Sequence, residues 1–239
     1  MPSFRVEARS DFPPGMAVRV KAEAKTTIML VDDHAILRDG LAHLLQENER
    51  YEVVGHASNG FDAIEFAGSF EPQVILMDIG LPGLNGIDTT HKILSRFPAI
   101  KVIGLSMQSD AQFVVAMLKV GARGYVLKDS AYGELLSALN AVLKGKIYIS
   151  PTIAGDVVID FMNGTMGDNS PLGRLSARER EVLQSMAEGT STVEIGNLLH
   201  ISPKTVETHR KHLMEKLNLH TVAELTKFAV RSGLTSLDN

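Results

Sequence analysis

From Thr26 to Ser150, short apolar runs alternate with amphipathic stretches. The runs are TTIMLV (26–31), YEVVGHA (51–57), QVILMD (73–78), KVIGLS (101–106) and GYVLK (124–128). They are rich in β-branched residues and bounded by Gly, Pro, Asn or Asp, which predicts strands. Between them, 36–47, 60–69, 87–97, 110–120 and 131–143 carry helical spacing of apolar positions. Strands separated by helices of this length form βαβ units. The expected fold is α/β, a five-stranded doubly wound parallel sheet of flavodoxin-like type covered on both faces.

The pattern then changes. Residues 151–163 (PTIAGDVVIDFMN) repeat weakly at helical spacing, and 164–173 (GTMGDNSPLG) consist of loop-forming residues. Beyond them every periodic segment is helical. Three open with a hydroxyl residue followed three positions later by Glu: Ser176 and Glu179, Ser191 and Glu194, Thr221 and Glu224. A fourth opens with Ser202-Pro203, an N-cap before a proline in the first turn. The expected division is an N-terminal extension over 1–25, an α/β domain over 26–149, a linker with a short helix over 150–173, and a small four-helix domain over 174–239. Pro13-Pro14-Gly15 and mixed charge predict a mobile extension.

Composition adds exclusions. Hydrophobic residues make up 44% and charged residues 22%, which argues against disorder. No apolar run approaches the length that spans a bilayer, and no apolar segment follows the basic N-terminal residues as in a secretory signal. Cysteine is absent, which excludes disulfides and thiol catalysis and fits a reducing cytoplasm. The net charge of −4 is uneven: 27–173 carry the acidic excess, while 174–231 are mildly basic and hold four of the eight histidines. An acidic body with a basic tail is what a nucleic-acid-binding second domain would produce, and ordinary surface variation produces it too.

The strand ends carry the chemistry. Asp32 and Asp33 follow the first strand, Asp78 ends the third, Ser106 the fourth and Lys128 the fifth. All carboxyl ends of a doubly wound sheet open on one edge, where ligands bind. Grouped carboxylates repel unless a cation joins them, and Mg²⁺ prefers such oxygen ligands. Taken singly, the paired acids fit a helix start, Asp78 a turn, and Lys128 a solvated surface. Turn residues in random order do not set acid, acid, hydroxyl and amine on four strand ends.

VDDH, ILMDIGLPGLNGID, GLS and GYVLK resemble the receiver domain of bacterial two-component response regulators. The resemblance implies that Asp78 is the phosphoacceptor, attacking the phosphohistidine of a sensor histidine kinase. Asp33 and Asp78 would ligate Mg²⁺ with the main-chain carbonyl of Gly80, Asp32 acting through water. Lys128 would pair with the phosphoryl oxygens and Ser106 would hydrogen-bond one of them. Tyr125 matches the aromatic that turns inward when that hydroxyl moves. Many receivers carry proline after the lysine, often in a cis bond; here Asp129 follows, and a trans bond is expected.

In the helical block, segments 192–199 and 203–217 flank the turn HIS and suggest a helix-turn-helix, whose second helix enters the major groove. At about 100° per residue, Val206, Leu213 and Leu217 share one stripe, and Lys204, Thr208, Lys211 and Glu215 lie about 140–180° away. A solvated charged face is the plain alternative. The block, with Leu175-Ser176, Arg178-Glu179-Arg180-Glu181, Glu188-Gly189-Thr190-Ser191 and Lys204-Thr205-Val206-Glu207, resembles the LuxR-type DNA-binding domain. Val193 and Gly196 stand where members often carry lysine and alanine. Candidate DNA contacts are Lys204, Thr205, Glu207, Thr208, Arg210 and Lys211. The family's last helix makes the dimer contact, which nominates Val222, Leu225 and Ala229; core packing is an equal alternative for each.

A receiver joined to such a domain is the architecture of the NarL/FixJ class. It implies a cytoplasmic transcription regulator rather than an enzyme. The implied partners are a histidine kinase, double-stranded promoter DNA and a second copy of the chain on phosphorylation or DNA binding, with RNA polymerase a further candidate and no membrane. The enzymatic rival is an aspartyl-phosphate hydrolase of the haloacid dehalogenase type. That family places its nucleophile after the first strand in an Asp-x-Asp pattern, whereas here Asp-Asp stands there. A pseudo-receiver is a second rival, opposed by the complete set of acidic and basic residues.

Overall fold

The computed structural model describes residues 24–162, 172 and 174–235. The extension, but for its last two residues, and residues 163–171 and 173 of the linker lie outside these.

Six parallel strands form one sheet in the order β2-β1-β3-β4-β5-β6. They are β1 (Thr26–Val31), β2 (Tyr51–Ala57), β3 (Val74–Asp78), β4 (Lys101–Ser106), β5 (Gly124–Leu127) and β6 (Tyr148–Ile149). The helices that alternate with them are α1 (Ala35–Gln46), α2 (Gly60–Phe70), α3 (Gly86–Arg96), α4 (Ala111–Lys119) and α5 (Tyr132–Leu143).

Alternate strand residues face opposite sides. Met29, Val31, Ile75, Met77 and Val102 pack under α2, α3 and α4, whereas Ile28, Leu30, Val74, Leu76 and Ile103 pack under α1 and α5. β3 is buried along its whole length, as expected for a central strand covered on both faces. Chain order reverses between β1 and β3, so the crevice at their carboxyl ends is where the fold presents a site.

The sixth strand corrects the expected five. Its two residues pair with Gly124 and Tyr125, too short a run to show alternation in sequence. Directly after it, α6 (Pro151–Met162) seats the fully buried Ile153, with Val157, in the core beneath α4.

The second domain comprises α7 (Ala177–Ala187), α8 (Thr192–Leu198), α9 (Pro203–Leu217) and α10 (Val222–Arg231). Capping boxes close the N-termini of α7, α8 and α10, and Ser202 caps α9 with Pro203 in its first turn. Leu175, Val182, Leu183, Ile195, Val206, Leu213, Leu225 and Ala229 form a separate core. Of the three nominated dimer contacts, Leu225 and Ala229 are 1% and 0% exposed and pack inside this core, the alternative named for them, while Val222 is 39% exposed.

The tight α8–α9 turn explains Gly196. A Cβ there would stand 2.8 Å from the Ile201 carbonyl, a backbone atom that cannot swing aside. No helix among the described residues is long and apolar enough to cross a membrane.

Candidate functional site

At the carboxyl ends of β1, β3, β4 and β5, the predicted residues come together. Asp78 ends β3 and is 3% exposed, and Lys128 follows β5. The Lys128 ammonium lies 2.8 Å from Asp78 Oδ2 and 2.8 Å from Asp32 Oδ2. Gly80 donates its N–H to Asp78 Oδ1 at 3.1 Å. The chain must fold back sharply here: a Cβ on Gly86, at the start of α3, would collide with the Asp78 carbonyl. Lys128 donates its own N–H to the Ser106 carbonyl at 2.8 Å, tying β5 to β4 at the rim, and every described peptide bond is trans.

Burial pushes the Asp78 carboxyl up to about 6; Lys128 opposes this and Asp32 adds to it. Burial works to lower the Lys128 ammonium, but Asp78 and Asp32 outweigh it and hold the group above its ordinary value. Asp32, Asp33 and Asp78 against one ammonium leave two negative charges uncompensated in the crevice. Asp33 Oδ1 is buried and accepts no hydrogen bond. This carboxylate-rich cup fits a hard divalent cation.

Ser106 and Tyr125 sit beside it. Ser106 Oγ accepts the Gln108 N–H at 3.0 Å. Tyr125 is fully buried in the inward position, its hydroxyl donating to the Gln108 carbonyl at 2.9 Å. Phe113 and the Gln108 side chain in turn abut Gly233, where a Cβ would strike both.

On α9, Val206 and Leu213 are buried and Leu217 is half-buried, as the periodicity predicts. Lys204, Thr208, Lys211 and Glu215 are exposed. Thr205 is occupied with capping, its hydroxyl 2.8 Å from Ser202 Oγ. Thr208 donates to the Lys204 carbonyl at 3.0 Å, so its hydroxyl proton is used within the helix. Glu207 accepts from the Thr192 hydroxyl at 3.0 Å and lies 3.7 Å from Arg210, so its charge is partly answered within the domain.

Sequence reasoning missed the contact between the domains. One face of α7 clasps the loop after Asp78. Gln184 donates to the Leu81 carbonyl at 2.7 Å and accepts the Asn85 N–H at 3.0 Å. The Glu188 carboxylate accepts the Gly83 N–H at 3.2 Å, and burial raises its pKa. Arg180 pairs with Asp88 and Glu181 with Lys92, the latter at 2.7 Å. Most of these residues lie in the stretches that carry the two family resemblances, but as ordinary surface residue types they give no sign in sequence that the two stretches meet. His34 was missed as well. Its Nδ1 lies 2.8 Å from Asp33 Oδ1, and standing next to the acid pair was its one signal.

Comparisons with known proteins agree with this geometry. Residues 28–140 match the response regulator receiver domain and 173–229 match the luxR family of bacterial regulatory proteins. The chain is 37% identical over 212 residues to the oxygen regulatory protein NreC of Staphylococcus carnosus, covering 87% of this chain and 98% of that protein. It is 33% identical to the transcriptional regulatory protein DegU of Brevibacillus brevis, covering 88% and 95%. Among solved structures, RcsB of Salmonella enterica serovar Typhimurium, bound to promoter rprA with phosphomimetic BeF3-, superposes with a TM-score of 0.62 at 28% identity, over 86% of this chain and 98% of that one. The chain belongs to the two-component response regulators of the NarL/FixJ class, transcription regulators that join a receiver to a LuxR-type DNA-binding domain.

Proposed function

We propose that Asp78 accepts a phosphoryl group from the phosphohistidine of a sensor kinase in the cytoplasm, and that this changes how the α9 face binds promoter DNA. The carrying observation is Asp78 at the end of the central strand, its carboxylate bound by Lys128 and facing the acids of β1. An Asp78 oxygen attacks phosphorus, the phosphorus–nitrogen bond breaks, and the imidazole of the kinase departs. Lys128 is positioned to follow the phosphoryl oxygens as charge spreads over them. Asp32, Asp33, Asp78 and the Gly80 carbonyl would hold Mg²⁺, which neutralises that charge.

Ser106 then has a new acceptor, and turning toward it releases the Gln108 N–H. Gln108 also holds the Tyr125 hydroxyl and abuts Gly233, so the change at β4 runs to the end of the DNA-binding domain. The α7 clasp grips the loop that carries the phosphoacceptor, so phosphorylation and docking bias each other. Undocked domains pair with a second copy on DNA, with RNA polymerase a further partner at the promoter.

The test is labelling by acetyl phosphate or kinase, with DNA binding measured across protein concentration. Wild type takes label only with Mg²⁺ and then binds promoter more tightly; Asp78→Asn does neither. Labelling of that variant at another aspartate, or equal affinity of both wild-type forms, overturns the reading.

A further inference from the structure

We propose that His34 adds its Nδ1 nitrogen to the acidic cation cup, so that the site accepts first-row transition ions such as Mn²⁺ or Co²⁺ with a protein nitrogen ligand. This rests on the response-regulator reading of the same carboxylates. His34 stands at the N-cap of α1, yet its side chain makes no capping bond, so the helix does not use the ring. Instead the backbone N–H donates to Asp32 Oδ1 at 2.9 Å, which folds the residue over the crevice. Nδ1 then lies 2.8 Å from Asp33 Oδ1 and 3.3 Å from Asp32 Oδ1. One ligand atom each from Asp32, Asp33, His34 and Asp78 falls within 4.8 Å of the others.

The separations of His34 from Asp33 and Asp32 suit neighbouring ligands of a common ion. Neighbouring ligands around an octahedral cation at about 2.1 Å stand about 3 Å apart. Asp33 Oδ1, 2.8 Å from the ring nitrogen, has no other partner, so it is open to an ion shared with the ring. A simple ion pair explains the structure less well. The imidazole side chain is 65% exposed, where a pair with one carboxylate contributes little, and such a pair needs no approach to two acids at once.

The donor set decides the metal. Mg²⁺ binds through oxygen and keeps its waters, whereas imidazole suits the first-row transition ions. A cup of three carboxylates with one imidazole at its rim therefore holds Mg²⁺ without the histidine and a softer ion with it.

The experiment uses the full chain loaded with Mn²⁺ and read by pulsed EPR, with Mg²⁺ affinity measured alongside. Wild type should show ¹⁴N coupling to Mn²⁺, and His34→Ala should lose it. That exposed variant should bind Mn²⁺ at least about tenfold more weakly, the lower bound for loss of even an outer partner. Its Mg²⁺ affinity should stay within about twofold, since magnesium takes oxygen ligands. Absent ¹⁴N coupling in wild type, or equal losses for both ions, would show that His34 only orients Asp33, and overturns the proposal while the acidic site stands. Mn²⁺ binding that survives both Asp33→Asn and Asp78→Asn would overturn the acidic-site reading itself.

Discussion

Arg180 grips Asp88 through two guanidinium nitrogens, Nη2 to Oδ1 at 2.5 Å and Nε to Oδ2 at 3.2 Å, and so binds α7 of one domain to α3 of the other. Asp88 is 3% exposed and also accepts from Asn85 at 2.9 Å, so the pair is held in a defined geometry. Two-point pairing of this kind exceeds the worth of a surface ion pair.

Arg180→Ala should therefore shift the docking equilibrium toward separated domains by at least about tenfold, or about 1.4 kcal/mol. Small-angle scattering of the unphosphorylated protein would register a larger radius of gyration. Exchanging the two charges, Arg180→Asp with Asp88→Arg, should restore part of the loss, and the double-mutant cycle isolates the coupling. An unchanged radius for Arg180→Ala would remove this pair from the clasp.

Burial raises the Asp78 carboxyl from 3.8 to about 6. A raised carboxylate pKa lets the folded state hold its proton over a window where the unfolded chain has released it. Stability is thus fully retained below about pH 4 and declines as pH rises to about 6, by about 2–3 kcal/mol at most. Asp78→Asn removes that decline. Without divalent cations, its melting temperature should exceed that of wild type at pH 7.5 and converge with it near pH 4.

Gly196→Ala tests the α8–α9 turn. Helix propensity alone would favour alanine by about 1 kcal/mol. The Ile201 carbonyl 2.8 Å from the new Cβ opposes it. Net destabilisation of the DNA-binding domain in thermal unfolding, with the receiver transition unmoved, is the expected result.

Lys211 projects from α9, 76% exposed and only loosely paired with Glu215 at 3.8 Å. If it meets phosphate, Lys211→Ala lowers the salt slope of binding by about one and weakens all sites alike. Lys204→Ala and Thr208→Ala should instead relax preference at single base positions. Selection from a randomised site library at several salt concentrations separates the two classes.

The receiver's elements were legible because each has a strong local cause. The run YEVVGHA coincides with β2, and the helical spacing over 36–47 matches α1 within one residue at each end. Asp32, Asp78 and Lys128 were legible as one site because parallel strands deliver their ends to one edge. β6 was not, since two residues show no period. Nor was the clasp, because Asp88 and Arg180 are 92 positions apart and each carries a charge that solvent would accept equally well. Leu225 and Ala229 looked the same as core or as contact, since an apolar stripe does not say which surface covers it.

The exposed face of α9 has a consequence for how silence is enforced. While α7 is clasped, Lys204, Thr208 and Lys211 remain open to solvent, so docking does not cover the face proposed to meet DNA. On the proposed function, what docking would withhold is spacing: two reading helices must stand one helical turn of DNA apart, about 34 Å, and each is tethered to its own receiver. On the proposed reading, docking controls the pairing of two reading faces rather than access to either one.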